Sequence, residues 1–284
     1  MKRGFTLIEL MLVLFVLALT AHLAVRELSN IRAARLRDAA DRQLADIASA
    51  VYDETRDGPS GFLSDMGRLP VATRDDAGQL TLSELFERPG GVGEYRARPA
   101  SEDNLAGGAP REIADASLYV PCGWGGPYIR LPAGTTRLAD PWGNPIETPD
   151  QAGLARLIGA GGDPVATNGQ GIAAVRHFGS DGLDDAARNP VHSEMRDATL
   201  AFAEPTARLL LTFEPGSVTN LFWYAPLGDK ITGGVHPVGA GESQALLEGL
   251  TPGLRFIKVF YAGQFPRVMQ VTLRAGRDTV VSLR

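Results

Sequence analysis

An apolar run over residues 5–25, set directly behind Lys2 and Arg3, constrains this chain more than any other feature. At roughly 20 residues it is long enough to cross the hydrocarbon of a bilayer as a helix. The two cations ahead of it favour a cytoplasmic start, which puts everything after residue 25 on the opposite side. An ordinary secretory signal has a short apolar core followed by a small-residue cleavage site, and it is discarded. Here the candidate processing site, between Gly4 and Phe5, comes before the core. A cut there keeps the hydrophobic helix.

Glu9 is the anomaly in this run, because an ionised carboxylate near hydrocarbon costs several kcal/mol unless a partner answers it. Cleavage after Gly4 creates that partner, the free α-amino group of Phe5. A neighbouring subunit's Glu9 then has a cation within its own membrane layer, so one cut makes both halves of an intersubunit ion pair. On physics alone, a plain signal anchor with a tolerated near-surface Glu is the alternative.

The string Gly4-Phe5-Thr6-Leu7-Ile8-Glu9-Leu10 resembles the class III signal of type IV pilins and type II secretion pseudopilins. The resemblance implies that a prepilin peptidase cuts after Gly4 and N-methylates Phe5, and that Glu9 takes the fifth position of the processed chain. It also implies a single-pass protein of the bacterial inner membrane with its C-terminal region in the periplasm. Its partners would be other pilin or pseudopilin subunits, the peptidase and an inner-membrane assembly platform.

Beyond the membrane run, Ile31, Ala34, Ala40, Leu44, Ile47, Ala48 and Val51 recur at spacings near three and four with charged residues between them. Neither Pro nor Gly interrupts residues 5–57. A single helix of about 80 Å at 1.5 Å per residue is expected, ended by Gly58-Pro59-Ser60-Gly61. Its second half should bury the Leu44/Ile47/Val51 stripe while Arg35, Arg37, Asp38, Arg42 and Asp46 face water. Residues 62–121 are rich in Gly, Pro and Asp and are expected to be mostly loop, with a helical candidate at 80–86 and a turn at Pro89-Gly90-Gly91.

Trp124-Gly125-Gly126-Pro127-Tyr128 and Asp140-Pro141-Trp142-Gly143-Asn144-Pro145 each join an aromatic ring to backbone-bending residues, which suits tight turns pinned by Trp. Together they resemble the head of the major pseudopilin. In that family a loop with an Asp-Gly pair binds calcium. The matching stretch is residues 177–185, where Ser180, Asp181, Asp184 and Asp185 offer the oxygen ligands a hard cation takes; a solvated acidic turn is the other reading.

From residue 198 onward, strand-like runs at 207–213, 221–224, 254–262, 268–274 and 279–283 alternate with turns at Pro215-Gly216, Gly233-Gly234, Pro252-Gly253 and Ala275-Gly276. Phe256, Lys258 and Phe260 on one face alternate with Ile257, Val259 and Tyr261 on the other, which suggests a β-sandwich of six or seven strands. The expected fold class is α+β: a long N-terminal helix, transmembrane in its first half, packed on a small antiparallel-sheet head and followed by an all-β module. The divisions fall at 1–4 (leader), 5–57 (helix), 58–195 (head) and 196–284 (module).

The formal net charge of −5 offers no basic field for a phosphate backbone, so nucleic acid is not an expected partner. Cys122 is the only cysteine, which excludes an intrachain disulfide and a cysteine metal cage. A small buried thiol is expected. No His-Glu-x-x-His surrounds His22, His177, His192 or His236, and neither Gly-x-Ser-x-Gly nor a phosphate loop occurs. Gly169-Gln170-Gly171 is read as loop, and His177 as structural rather than as part of a triad with Ser180 and Asp181. The chain is therefore read as a filament subunit and not an enzyme. The appended module points to a minor position in the filament. A monomeric membrane-anchored periplasmic binding module is the alternative, and an anchored hydrolase has the least support.

Overall fold

The computed structural model describes residues 7–52, 54–55, 58–59, 61–71, 73–74, 80–143, 157–159, 172–177, 198–201, 206–274 and 276–283. Helix α1 (Leu7–Tyr52) runs unbroken for 46 residues. It stops short of residue 57 because Glu54–Thr55 already pairs antiparallel with Gly58–Pro59, a pairing too close in sequence for the helix to continue. The second half of α1 buries the expected Leu44, Ile47 and Val51 together with Ala40 and Ala50, whereas Ile31 and Ala34, read in the same periodicity, are exposed because the head reaches the helix only from about Ala40.

A five-residue helix, α2 (Phe62–Met66), is buried at every position. Gly67 ends it with a left-handed φ of 66° and donates its N–H to the Leu63 carbonyl, the usual way a glycine closes a helix. Phe62, Leu63 and Met66 join Leu44, Ile47 and Val51 in one core with Leu69, Leu82, Leu85, Leu138 and Val175. Val175 comes from a small antiparallel sheet, β3 (Leu157–Gly159), β4 (Ile172–His177) and β5 (Ala198–Ala201), in the order β3-β4-β5. Leu200 of β5 packs against the same core. The expected small sheet on the helix is therefore present.

Residues 62–121 hold more structure than expected. Strands β1 (Arg96–Ala100) and β2 (Asp115–Cys122) form an antiparallel hairpin. Leu118, Val120 and Cys122 are buried while Tyr119 between them is exposed, a period-two signal hidden in the sequence by the Gly-Gly and Pro residues of the connection. The helical candidate at 80–86 is only a 3-10 turn, Ser83–Leu85. That turn carries the buried Glu84, whose carboxylate accepts both Arg68 Nη1 and Nη2 at 2.8 and 2.7 Å and the Val71 N–H at 2.7 Å. A buried charge held this way is fully answered.

The C-terminal part is a seven-stranded sandwich: β6 (Ala207–Thr212), β7 (Val218–Leu227), β8 (Lys230–Pro237), β9 (Gln244–Leu250), β10 (Gly253–Tyr261), β11 (Arg267–Leu273) and β12 (Asp278–Ser282). One sheet has the order β9-β6-β12, with β6 and β12 parallel, and the other β8-β7-β10-β11. Leu209, Leu211, Leu221, Leu247, Ile257, Val259, Val271 and Leu273 fill the space between them. The face of β10 that carries Phe256 turns the other way. There Phe256, Tyr224 and Ile231 share a core with Ala100, Ile113, Leu118, Val120 and Cys122, so the β1–β2 hairpin caps the back of the four-stranded sheet. Lys258 Nζ meets Asp115 Oδ2 at 2.7 Å, and Tyr224 Oη donates to the Ile113 carbonyl at 2.9 Å across that contact.

Gly233-Gly234, expected as a turn, lies inside β8. Trp223 stands opposite Gly234 in the register. A Cβ at Gly234 would come within 2.6 Å of Trp223 Nε1, and one at Gly233 within 2.2 Å of the Trp223 carbonyl oxygen. The glycines make room for a side chain and a backbone lying across the strand.

Gly67→Ala tests the docking of α2, because a Cβ there would lie 1.8 Å from the Pro226 carbonyl oxygen at a positive φ. Clash and left-handed strain together should cost more than about 2 kcal/mol. Denaturant unfolding of the detergent-solubilised chain should show a lowered midpoint, and an unchanged midpoint would contradict this packing.

Candidate assembly helix and its junction with the head

The two halves of α1 have opposite surroundings. The helix contains a window apolar enough to cross a membrane, with mean hydropathy 1.9 and none of it buried by the rest of the chain. Leu7 is 77% exposed and Phe15 67%, and Leu10, Leu14, Leu17, Leu23 and Val25 are exposed as well. Each such side chain gains about 1.5–3 kcal/mol on full burial, so this half is stable only in lipid or against other apolar helices. Thr20 adds little cost in that setting, because its hydroxyl donates to the Val16 and Leu17 carbonyls at 3.0 Å.

Glu9 stands in the first turn of α1 as described. Gly4 and Phe5 lie outside the described residues, as do Ser180, Asp181, Asp184 and Asp185. His177 closes β4. Among the described residues, no group of three or more His, Cys, Asp or Glu side chains is placed to hold a metal ion.

Where α1 enters the head, α2 is clamped between the helix and the sandwich. Its Met66 carbonyl accepts the Gly228 N–H at 2.8 Å, from the β7–β8 turn. Gly253, at the start of β10, has φ +120°, and a Cβ there would stand 2.6 Å from Ser64 Oγ. Arg255 is 1% exposed. Its guanidinium donates to the Thr251, Pro252 and Leu254 carbonyls and to Thr251 Oγ1.

On the other side of α2, Tyr128 Oη donates to Asp65 Oδ2 at 2.8 Å and accepts the Gly125 N–H at 2.9 Å. The Trp124-to-Tyr128 turn is held on both flanks: Tyr128 packs edge-on to Phe62 and Trp124, and Trp124 Nε1 donates to the Glu84 carbonyl at 2.7 Å. In the second string, Asp140 Oδ1 accepts the Trp142 N–H and the Asp140 carbonyl accepts that of Gly143, while Asn144 and Pro145 lie outside the described residues. The role of Asp65 and Arg255 in joining head to sandwich was missed in the sequence. An isolated Asp and Arg 190 positions apart carry no local signal.

Burial pushes the Asp65 carboxyl up to about 7, against the opposing pull of the Tyr128 hydroxyl and Arg255. Burial likewise lowers Arg255 to about 9, although Tyr95 and Asp65 work against it. Asp115 behaves differently: burial raises it, but hydrogen bonds from Lys258 and Ser117 outweigh that and hold it down at about 2. Cys122 is pushed up to about 11, mainly by burial. It is the inert buried thiol expected from the sequence.

Residues 1–25 match the family model described as the prokaryotic N-terminal methylation motif. That motif marks prepilin-type proteins, which are structural, are processed by a prepilin peptidase and assemble into filaments with other pilins. No curated protein and no solved structure matches the chain.

Because the folded-state value of Asp65 lies above its ordinary value of 3.8, the folded chain holds a proton that the unfolded chain releases. Its contribution is fully present below that ordinary value and is lost as pH rises through about 7. The slope should be on the order of 1 kcal/mol per pH unit across that window. The melting temperature should fall from pH 5 to pH 8, and Asp65→Asn should flatten the fall. An equal slope in the variant would refute the assignment. Asp115 acts in the opposite direction, its contribution disappearing only as pH drops toward about 2.

Proposed function

We propose that this chain, a type IV pilin-like protein of the prepilin type, is a pseudopilin or minor pilin of a type II secretion or type IV pilus-like filament. In this reading the chain is inserted with residues 1–4 in the cytoplasm and its head in the periplasm, and it is handled by an inner-membrane assembly platform. Prepilin peptidase removes residues 1–4 and N-methylates Phe5. The filament then forms through α1. One observation carries this: the same uninterrupted helix is wholly uncovered in its apolar half and, from Ala40 onward, buries one face in a folded head. Such an element holds the head rigidly while offering a bare helix to lipid first and to copies of itself afterwards.

Glu9 supplies the register. In hydrocarbon its charge is answered by the Phe5 amine of an adjacent copy, which favours one axial offset over all others. The reading as a monomeric anchored binding module has one observation in its favour. A groove of about 830 Å³ at the end of the sandwich farthest from α2 is lined by Phe213, Glu214, Tyr261, Gln264 and Arg267. That reading gives Glu9 no partner.

Mass spectrometry of the protein from its native host should find a chain that begins at methylated Phe5. Glu9→Gln should still be inserted and cut, while high-mass assemblies fall by an order of magnitude or more. An unprocessed Met1 terminus would favour the plain anchor.

Calcium at Ser180, Asp181, Asp184 and Asp185 is part of the same proposal, by resemblance to the pseudopilin loop. Calcium should raise the melting temperature and a chelator should reverse the rise. A melting temperature indifferent to both would remove the ion from the proposal.

A further inference from the structure

The outer face of the three-stranded sheet carries a row of apolar side chains. In the register of that sheet, Leu210 of β6 stands between Leu246 of β9 and Val280 of β12. Leu246 is 45% exposed and Val280 64%, with Leu210 half-buried between them. Gln244, Thr212 and Ser282 make a polar row on one side. The exposed Glu248, Arg208 and Asp278 lie on the other, where Arg208 Nε donates to Asp278 Oδ1 at 2.8 Å. An apolar row rimmed by polar residues has the form of a contact surface.

The row runs out at β12, which is an edge of the sheet. Leu283 donates its N–H to the Thr212 carbonyl at 2.8 Å. Backbone groups alternate in direction along a strand, so Thr279, Val281 and Leu283 turn theirs to β6 while Asp278, Val280 and Ser282 turn theirs outward. Among the described residues, no segment pairs with that outer side. Open edges accept further strands, and proteins ordinarily guard them with a proline, a bulge, a charge or a cover. The other three edges of the sandwich are guarded in these ways. β8 is bridged at Ile231 by Leu105, takes the Ala106 N–H on the Ile231 carbonyl, and ends at Pro237. β9 faces the register shift between Ala207 and Leu209 and holds Gly249 at a φ of 69°. β11 starts behind Pro266 with Arg267 and lies against Gly58–Pro59. β12, Asp-Thr-Val-Val-Ser, has none of these devices, and its one charge is already taken up by Arg208.

We propose that β12 pairs antiparallel with β12 of a second copy of this chain, about a two-fold axis at Val280. The strand is self-complementary in that register. Val280 meets Val280 of the second copy, and Asp278 meets its Ser282. Each of these pairs has its free backbone groups turned toward the other and exchanges both hydrogen bonds. Asp278 uses one carboxylate oxygen for Arg208, which leaves the other to accept the Ser282 hydroxyl. On the inner side Thr279 meets Val281, a β-branched pair. No like charges stand opposite each other. The apolar row becomes continuous through both sheets, Leu246–Leu210–Val280 meeting its own copy end to end.

This goes beyond the filament reading. A two-fold contact uses the same surface on both copies and closes on itself, whereas a polymer grows through two different surfaces. The β12 contact therefore joins chains in pairs, separately from the α1 contact that builds the filament.

The test uses the full-length chain from its native host in detergent. Val280→Cys should oxidise to a disulfide-linked dimer, because directly opposed residues of such a pair lie about 5.5 Å apart between Cα atoms, within the reach of a disulfide. Cys122 is buried and is left in place. Ser282→Cys should give at least about tenfold less, since its copy stands four residues, roughly 13 Å, away along the strand. Without oxidation, Val280→Lys should lower the dimer share about tenfold in sedimentation while the melting temperature stays unchanged, because the side chain lies on the surface. That comparison is made in Glu9→Gln chains, so that the Glu9 contact does not contribute.

A 280 disulfide no more abundant than the 282 one, a dimer share indifferent to Val280→Lys, or oxidation onto a different protein overturns the pairing and leaves the filament reading standing. The 280 disulfide should persist in Glu9→Gln chains, and its loss there would make the contact a consequence of helix packing and overturn it as well. High-mass assemblies indifferent to Glu9→Gln overturn the filament reading alone.

Discussion

A helix that cannot cover its own apolar surface governs this protein. The first half of α1 displays Leu, Ile, Val, Met and Phe side chains around its whole circumference, and nothing else in the described chain approaches them. The unfavourable hydration of that surface, tens of kcal/mol at about 25 cal/mol per Å², has to be relieved by lipid or by helices of the same kind. The head cannot relieve it, because it reaches the helix only from about Ala40. From there only one stripe is apolar, and that stripe is already used by the core around Leu44, Ile47 and Val51.

The head is joined to that helix through a small and unusually crowded element. Helix α2 has five residues, and all are buried. Its apolar side chains complete the α1 core, Asp65 ties it to the aromatic turn at Trp124 and Tyr128, and its C-terminal end abuts the β7–β8 turn and the start of β10. The outer face of the four-stranded sheet is fixed as well, by the β1–β2 hairpin with its Lys258–Asp115 pair and the Tyr224 hydroxyl. The sandwich is thus packed onto the rest of the chain on two sides rather than hung from a linker. A rigidly carried module of this kind suits a subunit that must move with its helix. It also places the distal groove at a fixed distance from the membrane anchor.

The local signals proved readable where a residue's partner lies within a few turns or one strand. The unbroken helix, the Leu44/Ile47/Val51 stripe, the turn at Trp124 and Tyr128 and the alternation along β10 all depend on near neighbours, and the structure shows each of them. Errors arose where a distant residue decided the outcome. Gly233-Gly234 reads as a turn until Trp223 is laid across it, and the hairpin strands read as loop because the surface they cover, Tyr224 and Phe256, is more than 100 residues away.

By itself the sequence determined that this chain carries a membrane-length helix with a carboxylate at Glu9 and a methylation-type motif over residues 1–25, because length, hydropathy and charge in one continuous helix need no tertiary context. It also determined that the remainder is α+β with a β-rich end. Only the tertiary structure decided that α2 packs between α1 and the sandwich, that Asp65 of α2 and Arg255 of β10 are buried at that junction, and that the hairpin closes the back of the four-stranded sheet. Those outcomes depend on which surfaces exclude water together, and that is a property of pairs of segments far apart in the chain.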